Sequence, residues 1–338
     1  MNAVCIYPPQ RGSGGPASFS GRLAAALAQL GVTVVDDPLA PHCAAVLVIG
    51  GSKRFDLLWR AKSRGARIVQ RLDGMNWLHR RLHTGLRHYL RSEINNWILA
   101  VIRSRLADCI IYQSRFSQDW WERVYGPARA KTGVIYNGVD LNAFLPHGPE
   151  TPPQDVYRLL LVEGRLAGGH DAGLRNAVEL LETLNKNGGR PWELVVAGDV
   201  PPAVRQSVEN GHPGPRITWA GVIKRGEIPA LDRSAHVLFS GDLNAACPNA
   251  VIEALACGLP VAAYATGALP EMVSGDAGCV MPYGGDVWKL EKPAVKPLAA
   301  AVMQIASEQE KYRPGARGRA ENQFNIQLIV QKYLGVLI

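Results

Sequence analysis

At 338 residues the chain is longer than one hydrophobic core usually serves, so two domains of roughly 150 residues are expected. Its 47% apolar and 20% charged residues are those of a globular protein and exclude a disordered one, and no apolar run approaches the roughly 20 residues that cross a bilayer. The net charge of +8 is lopsided: residues 1–146 hold 19 Lys and Arg against 9 Asp and Glu, and the remainder is slightly acidic.

In chain order, the apolar runs Val4–Tyr7, Val32–Val35, Ala45–Ile49, Arg67–Gln70, Cys109–Tyr112 and Thr132–Ile135 predict strands. They are nearly continuous in hydrophobicity, as in a parallel sheet covered by helices on both faces. Ala17–Leu30 and Arg115–Tyr125 show helical spacing, and the segment Trp77–Ala107 reads as long, helical and basic. The chain enters its first strand without a charged leader or cleavage site, which points to the cytoplasm. Four prolines between Leu145 and Gln154 mark a linker or hinge. The pattern then restarts, with strands at Leu159–Glu163, Leu194–Ala197, Ile217–Ala220, Val237–Ser240 and Pro260–Tyr264. Helices are expected near Asp171–Asn187, Ala203–Glu209, Cys247–Cys257 and Lys296–Ser307. Two doubly wound α/β domains follow, with ligands beyond the carboxyl ends of the strands and in the cleft between domains.

Six scattered cysteines without a C-x-x-C pair read as buried, reduced thiols, and no spacing supports a zinc site. His79 and His83 stand four apart in a basic segment and read as a solvated helix face. The basic excess clusters in Lys53–Arg71 and Arg80–Arg105, interleaved with Trp59, Trp77, Tyr89 and Trp97. Two readings stay open: a solvated helical face, or a surface for anionic lipid or an anionic acceptor. Nucleic acid is not expected, because no recognised binding motif accompanies the charge.

Three stretches carry chemistry. Gly12-Ser-Gly-Gly-Pro-Ala17 fits a G-x-G-x-x-A dinucleotide fingerprint, with Asp36 and Asp37 beyond it. Pro8 to Arg11 separate it from its strand, which favours a glycine-rich loop lining the interdomain cleft, and a merely structural turn also stays open. Leu159-Leu-Leu-Val-Glu-Gly-Arg165 places an arginine at a strand end, suited to fork onto a diphosphate. Ala246-Cys-Pro-Asn-Ala-Val-Ile-Glu-Ala-Leu-Ala-Cys-Gly-Leu-Pro-Val261 starts a helix at Pro248-Asn249 and stops it at Gly258. The backbone amides at such a helix start form an anion site. Glu253, between Ile252 and Leu255, needs partners there: a ribose diol, a neighbouring arginine or solvent.

These stretches, together with Val134-Ile-Tyr-Asn-Gly-Val-Asp-Leu-Asn-Ala-Phe144, Ile217-Thr-Trp-Ala-Gly221, Leu231-Asp-Arg-Ser-Ala235 and Thr266-Gly-Ala-Leu-Pro-Glu271, resemble glycosyltransferase family 4 in order and spacing along nearly the whole chain. The resemblance implies the GT-B fold, two Rossmann-like domains facing across a cleft. It assigns 1–148 to the acceptor-side domain and 149–312 to the nucleotide-sugar domain, with C-terminal helices at 313–338 packing back toward the first. It implies transfer, with retention, from a UDP- or GDP-sugar to an unknown acceptor, with no cofactor and no metal. Carried over by position, Arg165 and His170 would meet the diphosphate, and the amides of Asn249, Ala250 and Val251 the phosphates. Glu253 would hold the ribose, and Gly221 and Val222 would lie by the base. The sugar and acceptor side would comprise Gly14, Gly15, Asp73, Gly74, Asn76, Ala245, Ala246, Cys247 and Pro248, with Arg165 and Asp73 as the candidate catalytic groups.

The chain departs from the family pattern in three places. Ala245 stands where the first of two glutamates is usual, and Gly169 and His170 lie where a lysine is expected. Arg71-Leu-Asp-Gly74 replaces a histidine before the long helical segment, which leaves Asp73 to contact the sugar or acceptor. The departures admit two alternatives, a sugar-nucleotide-binding protein of the same fold that has lost transfer, and a sugar-nucleotide epimerase. The basic first half implies an anionic or lipid-linked acceptor and peripheral contact with the inner membrane surface.

Overall fold

Runs such as Val46-Leu-Val-Ile49 and Leu159-Leu-Leu161 are apolar on both strand faces, so they bury fully only in a sheet flanked by helices. The computed structural model contains two such sheets and describes residues 3–10, 12, 14–166, 171–186, 188–214 and 216–338. The elements begin with β1 (Ala3–Tyr7), α1 (Gly15–Gln29), β2 (Thr33–Val35), β3 (Cys43–Ile49), α2 (Phe55–Ser63), β4 (Arg67–Leu72) and α3 (Leu86–Val101). They continue with β5 (Cys109–Tyr112), α4 (Arg115–Tyr125), β6 (Lys131–Val134), β7 (Tyr157–Arg165), α5 (Ala172–Lys186), β8 (Trp192–Asp199), α6 (Pro202–Gly211) and β9 (Arg216–Gly221). Next come α7 (Ile228–Arg233), β10 (Val237–Ser240), α8 (Asn249–Ala256), β11 (Val261–Tyr264), α9 (Leu269–Met272) and β12 (Gly278–Met281). Three helices close the chain: α10 (Val295–Ser307), α11 (Gln309–Gln323) and α12 (Ile326–Leu337).

One compact unit comprises Met1–Asp140 with Phe324–Ile338. Its sheet has the order β2-β1-β3-β4-β5-β6, every pairing parallel. Alternate residues divide between its faces, as the two-residue period requires. Val4, Ile6, Leu47 and Ile49 pack with Phe19 and Leu23 of α1 and Ile329 and Tyr333 of α12. Cys5, Val46 and Val48 pack on the other side with Leu58 of α2 and Ile98 of α3. The second unit, Leu141–Gln323, has the order β12-β11-β10-β7-β8-β9, again all parallel. Leu174, Leu181 and Leu184 of α5 and Leu298 and Val302 of α10 bury its central strands.

The division falls between Asp140 and Leu141, ahead of the proline-rich stretch, and α11 stays with the second unit. Arg317 of α11 donates to the carbonyls of Phe144 and Ala256, and Gly315 lies against the Asp276 backbone with no room for a Cβ. The 313–338 segment is thus shared, and only 324–338 belongs to the first unit.

The helical segment expected over Trp77–Ala107 is built in three pieces. Leu78–Arg80 forms a 3-10 turn, Gly85 (φ 82°) breaks the path before α3, and Ile102–Leu106 widens into a π turn closed by Ala107 N–H on the Ile102 carbonyl at 2.9 Å. His79 is no part of a solvated face: it is 4% exposed, with Nε2 2.8 Å from Glu93 and its ring against Tyr89. All six cysteines are free thiols. Among the described residues, no helix is long and apolar enough to cross a membrane.

Candidate functional site

At the carboxyl edge of the second sheet, β10 lies beside β7, and β8 and β9 follow. Arg165 ends β7, Gly221 ends β9 and the segment 241–248 leads from β10 into α8, so one sheet edge carries all three groups. At about 4.8 Å per strand, β9 is about 10 Å from β7, a span a nucleotide can bridge. A bulge between Val162 and Arg165 shifts the β7–β8 register. It is built where Gly198 (φ 148°) approaches the Glu163 carbonyl so closely that a Cβ would lie 2.3 Å from it. The bulge re-aims the strand end. The Arg165 side chain is 72% exposed, and its ion-pair partner, Asp199, stands 3.5 Å away and is itself 53% exposed. Gly221 (φ 69°) and Val222, 70% exposed, form an open turn.

The helix begins at Asn249, where the Pro248-Asn249 signal places its start, with Pro248 as a cap that offers no side-chain acceptor to the first-turn amides of Asn249, Ala250 and Val251. The partial positive charge of the helix start therefore faces the sheet edge. The approach segment is held by backbone: Ala268 N–H donates to the Ala245 carbonyl at 2.8 Å. Gly267 (φ 58°) lies so close that a Cβ would stand 2.5 Å from that same oxygen. Ala245 and Cys247 are buried, while Ala246 and Pro248 are half-buried. Glu253, one turn into α8 and 9% exposed, sits in a helix whose other residues from Val251 to Ala256 are fully buried.

Two acidic groups escaped the sequence reading. Asp232 of α7 is 1% exposed, hydrogen-bonds the Cys257 thiol and leaves its Oδ2 without a partner. Burial, and next the carboxylate of Glu253, push its carboxyl well above the usual range. At the end of β7, burial and the neighbouring Asp242 push Glu163 well upward too. An aspartate directly after the apolar run Ile228–Leu231 and a glutamate inside a strand are the available signals. His170 and Gly169 lie outside the described residues.

The carboxyl edge of the first sheet is arranged otherwise. Gly14 caps α1 and, with Gly15, is exposed after β1. Two strands over, Arg71 near the end of β4 is 3% exposed, its guanidinium 3.6 Å above the Phe19 ring and bonded to Asn137 Oδ1. Asp73 follows, half-buried, and its carbonyl accepts the Trp121 indole N–H at 2.7 Å. Burial raises the Asp73 carboxyl, opposed by Arg71. A Cβ at Gly74 would stand 2.8 Å from Trp120, so any other residue there must displace that ring. Asn76 is exposed, but its N–H and Nδ2 both donate to Asn96 Oδ1 of α3, at 3.0 and 3.2 Å. Asp73 and Gly74 are thus set by α4 and Asn76 by α3.

Comparison with known proteins covers both units. A model described as Glycosyltransferase Family 4 matches residues 6–143, and one described as Glycosyl transferases group 1 matches residues 158–306. The 2-deoxystreptamine glucosyltransferase of Streptomyces kanamyceticus is 28% identical over 188 residues, 51% of this chain and 46% of its own length. The GDP-mannose-dependent alpha-(1-6)-phosphatidylinositol dimannoside mannosyltransferase of Mycobacterium tuberculosis is 29% identical over 225 residues, 63% of this chain and 53% of its own. The chain spans about half the length of these relatives. Among solved structures, sucrose-phosphate synthase from Thermosynechococcus elongatus superposes with a TM-score of 0.76 at 17% identity, covering 99% of this chain and 98% of that one. Anabaena HepE in complex with UDP and glucose gives 0.66 at 17% identity, covering 100% and 99%. These likenesses establish the GT-B fold of two Rossmann-like domains. With one family model on each unit and the glycosyltransferase fold beneath both, the chain belongs to glycosyltransferase family 4.

Proposed function

We propose that the chain transfers a sugar, with retention, from a UDP- or GDP-sugar to an anionic or lipid-linked acceptor. The observation that best supports this reading is the convergence of Arg165, the Gly221–Val222 turn and the start of α8 on one sheet edge, with Glu253 buried one turn inside. Glu253 accepts the ribose diol, Gly221 and Val222 flank the base, and the amides of Asn249, Ala250 and Val251 receive the phosphates. Charge grows on the nucleoside diphosphate as it leaves, so Arg165 and those amides act most strongly at the transition state. They supply the neutralisation, and the proposal calls for no metal. Burial, and next the neighbouring Asp242, bias Glu163 at this edge toward its neutral form. In the first unit, Gly14, Gly15, Asp73, Gly74 and Asn76 form the acceptor side. Asp73, whose carboxyl burial raises against the pull of Arg71, meets a sugar or acceptor hydroxyl.

Ala245 favours a second reading, a sugar-nucleotide-binding protein without transfer, because its buried methyl cannot read a sugar hydroxyl. A thermal-shift series with UDP, GDP and their sugars, followed by nucleotide-release assays with mixed acceptors, separates the two. A nucleoside diphosphate should raise the melting temperature, and Glu253→Ala should abolish that rise. Stabilisation without release under any acceptor establishes the binding protein. No stabilisation by any nucleotide defeats both.

A further inference from the structure

Helix α3 buries apolar side chains, Ile98 and Leu99, only near its C-terminal end. Its buried side carries Ser92 and Asn96, 5% and 1% exposed, and Asn96 returns the bonds of Asn76 by donating Nδ2–H to the Asn76 carbonyl at 2.9 Å. Its outward side carries Leu86, Leu90, Ile94 and Trp97, which are 75%, 51%, 51% and 59% exposed. At about 100° per residue these four fall within an arc of about 80°. The apolar surface continues onto α2: Trp97 meets Phe55 edge-on, ring centroids 6.3 Å apart, and one turn beyond Phe55 stands Trp59, 62% exposed. Large apolar side chains gathered in this way mark a surface that water does not normally keep.

The rim of this surface is basic. Arg87 and Arg91 flank the stripe on α3, Arg81 precedes the helix, and Lys53 and Arg60 lie at α2, all exposed. Among the described residues no acid pairs with any of these five. Glu93, the single acid on α3, is occupied by Arg80 at 2.6 and 2.8 Å and by His79 at 2.8 Å.

We propose that this face docks on a bilayer containing anionic lipid, with Leu86, Leu90, Ile94 and Trp97 entering the interface and the arginines meeting headgroup phosphates. Interfacial tryptophans beside arginines suit the boundary between acyl chains and headgroups. A second copy of the chain would bring the same cations together, and a soluble polyanion would leave the apolar stripe in water. The proposal deepens the reading of an anionic or lipid-linked acceptor but stands apart from transfer, because vesicle binding is measured without donor.

Co-flotation with vesicles of phosphatidylcholine alone, or with about one third phosphatidylglycerol, tests it. The chain should bind the anionic vesicles at least about tenfold more tightly than the neutral ones, and salt should weaken that binding. Leu90→Gln with Ile94→Gln, and separately Arg87→Glu with Arg91→Glu, should each weaken binding at least about tenfold, with melting and the nucleotide-induced shift retained. Brominated lipid should quench tryptophan fluorescence in the native chain and much less after Trp59→Phe with Trp97→Phe. Absence of binding, equal binding to both vesicle types, or indifference to these variants overturns the proposal. So does a dimer in lipid-free sedimentation that Leu90→Gln with Ile94→Gln dissociates, which assigns the face to a second copy. Vesicle binding without any nucleotide shift upholds this face and sinks the donor reading; the converse sinks this one alone.

Discussion

Each six-stranded sheet places an arginine at or near the carboxyl end of an inner strand, β7 in one and β4 in the other, and the two side chains have opposite surroundings. Arg165 stands 72% exposed beyond a bulge, with Asp199 3.5 Å away. Arg71 is 3% exposed, stacked on Phe19 and bonded to Asn137, and its Nε makes no hydrogen bond. A guanidinium in the open can exchange solvent for an incoming diphosphate at little cost. One already desolvated serves to fix the chain around it. A guanidinium near the carboxyl end of an inner strand is therefore open to solvent in one unit and a structural post in the other.

The largest effect expected from this contrast is on turnover. Arg165→Ala should lower transfer by about 100- to 1,000-fold, the usual loss when one donor to developing charge is removed, and leave the melting temperature nearly unchanged. A large fall in melting temperature would show that Arg165 is structural after all. Arg71→Ala should do the reverse, costing about 2–4 kcal/mol of stability, because it strips a buried stack and leaves Asn137 short of a partner. Denaturant titration measures that loss. An unchanged midpoint with abolished transfer would erase the distinction between the two arginines.

A smaller effect sets the units apart by pH. His236, 5% exposed in the second unit, accepts the Arg158 backbone N–H at Nδ1, at 3.0 Å. Burial first, then the charges of Arg190, Arg313 and Arg158, lower its pKa from 6.5 to about 4. The unfolded chain thus takes up a proton that the folded chain refuses, so the contribution is complete above pH 6.5 and is lost as pH falls toward about 4. The loss should be on the order of 2–3 kcal/mol, and His236→Gln should flatten that part of the stability profile. A wild-type profile level across this window would contradict the assignment.

Much of the second unit's candidate site was legible because its signals are local. A strand ending in Gly-Arg, a proline–asparagine helix start and a glycine stop are read from neighbours in sequence, and the structure places them on one edge. Asp232 and Glu163 were not legible, since each acquires its character from a residue distant in the chain: Glu253 and Cys257 for the first, Asp242 for the second. His79 misled for the same reason, as its four-residue spacing from His83 says nothing about Glu93 and Tyr89 closing over it. The short strand β12 also escaped notice, because four residues opening on a glycine carry too little periodicity. Gly278 belongs there since a Cβ would stand 1.9 Å from the Val261 carbonyl.

The sequence by itself determined the alternation of strand and helix, the two parallel sheets and the family. These follow from hydrophobic period, glycine and proline punctuation and the order of short motifs, all of which act between near neighbours. Only the tertiary structure decided which charged groups stand open to solvent, where α11 and α12 belong, and that α3 buries Ser92 and Asn96 while it exposes Leu86, Leu90, Ile94 and Trp97. Those outcomes depend on which distant surfaces meet, and burial and the field of remote partners, which no local pattern records, set exposure and protonation alike.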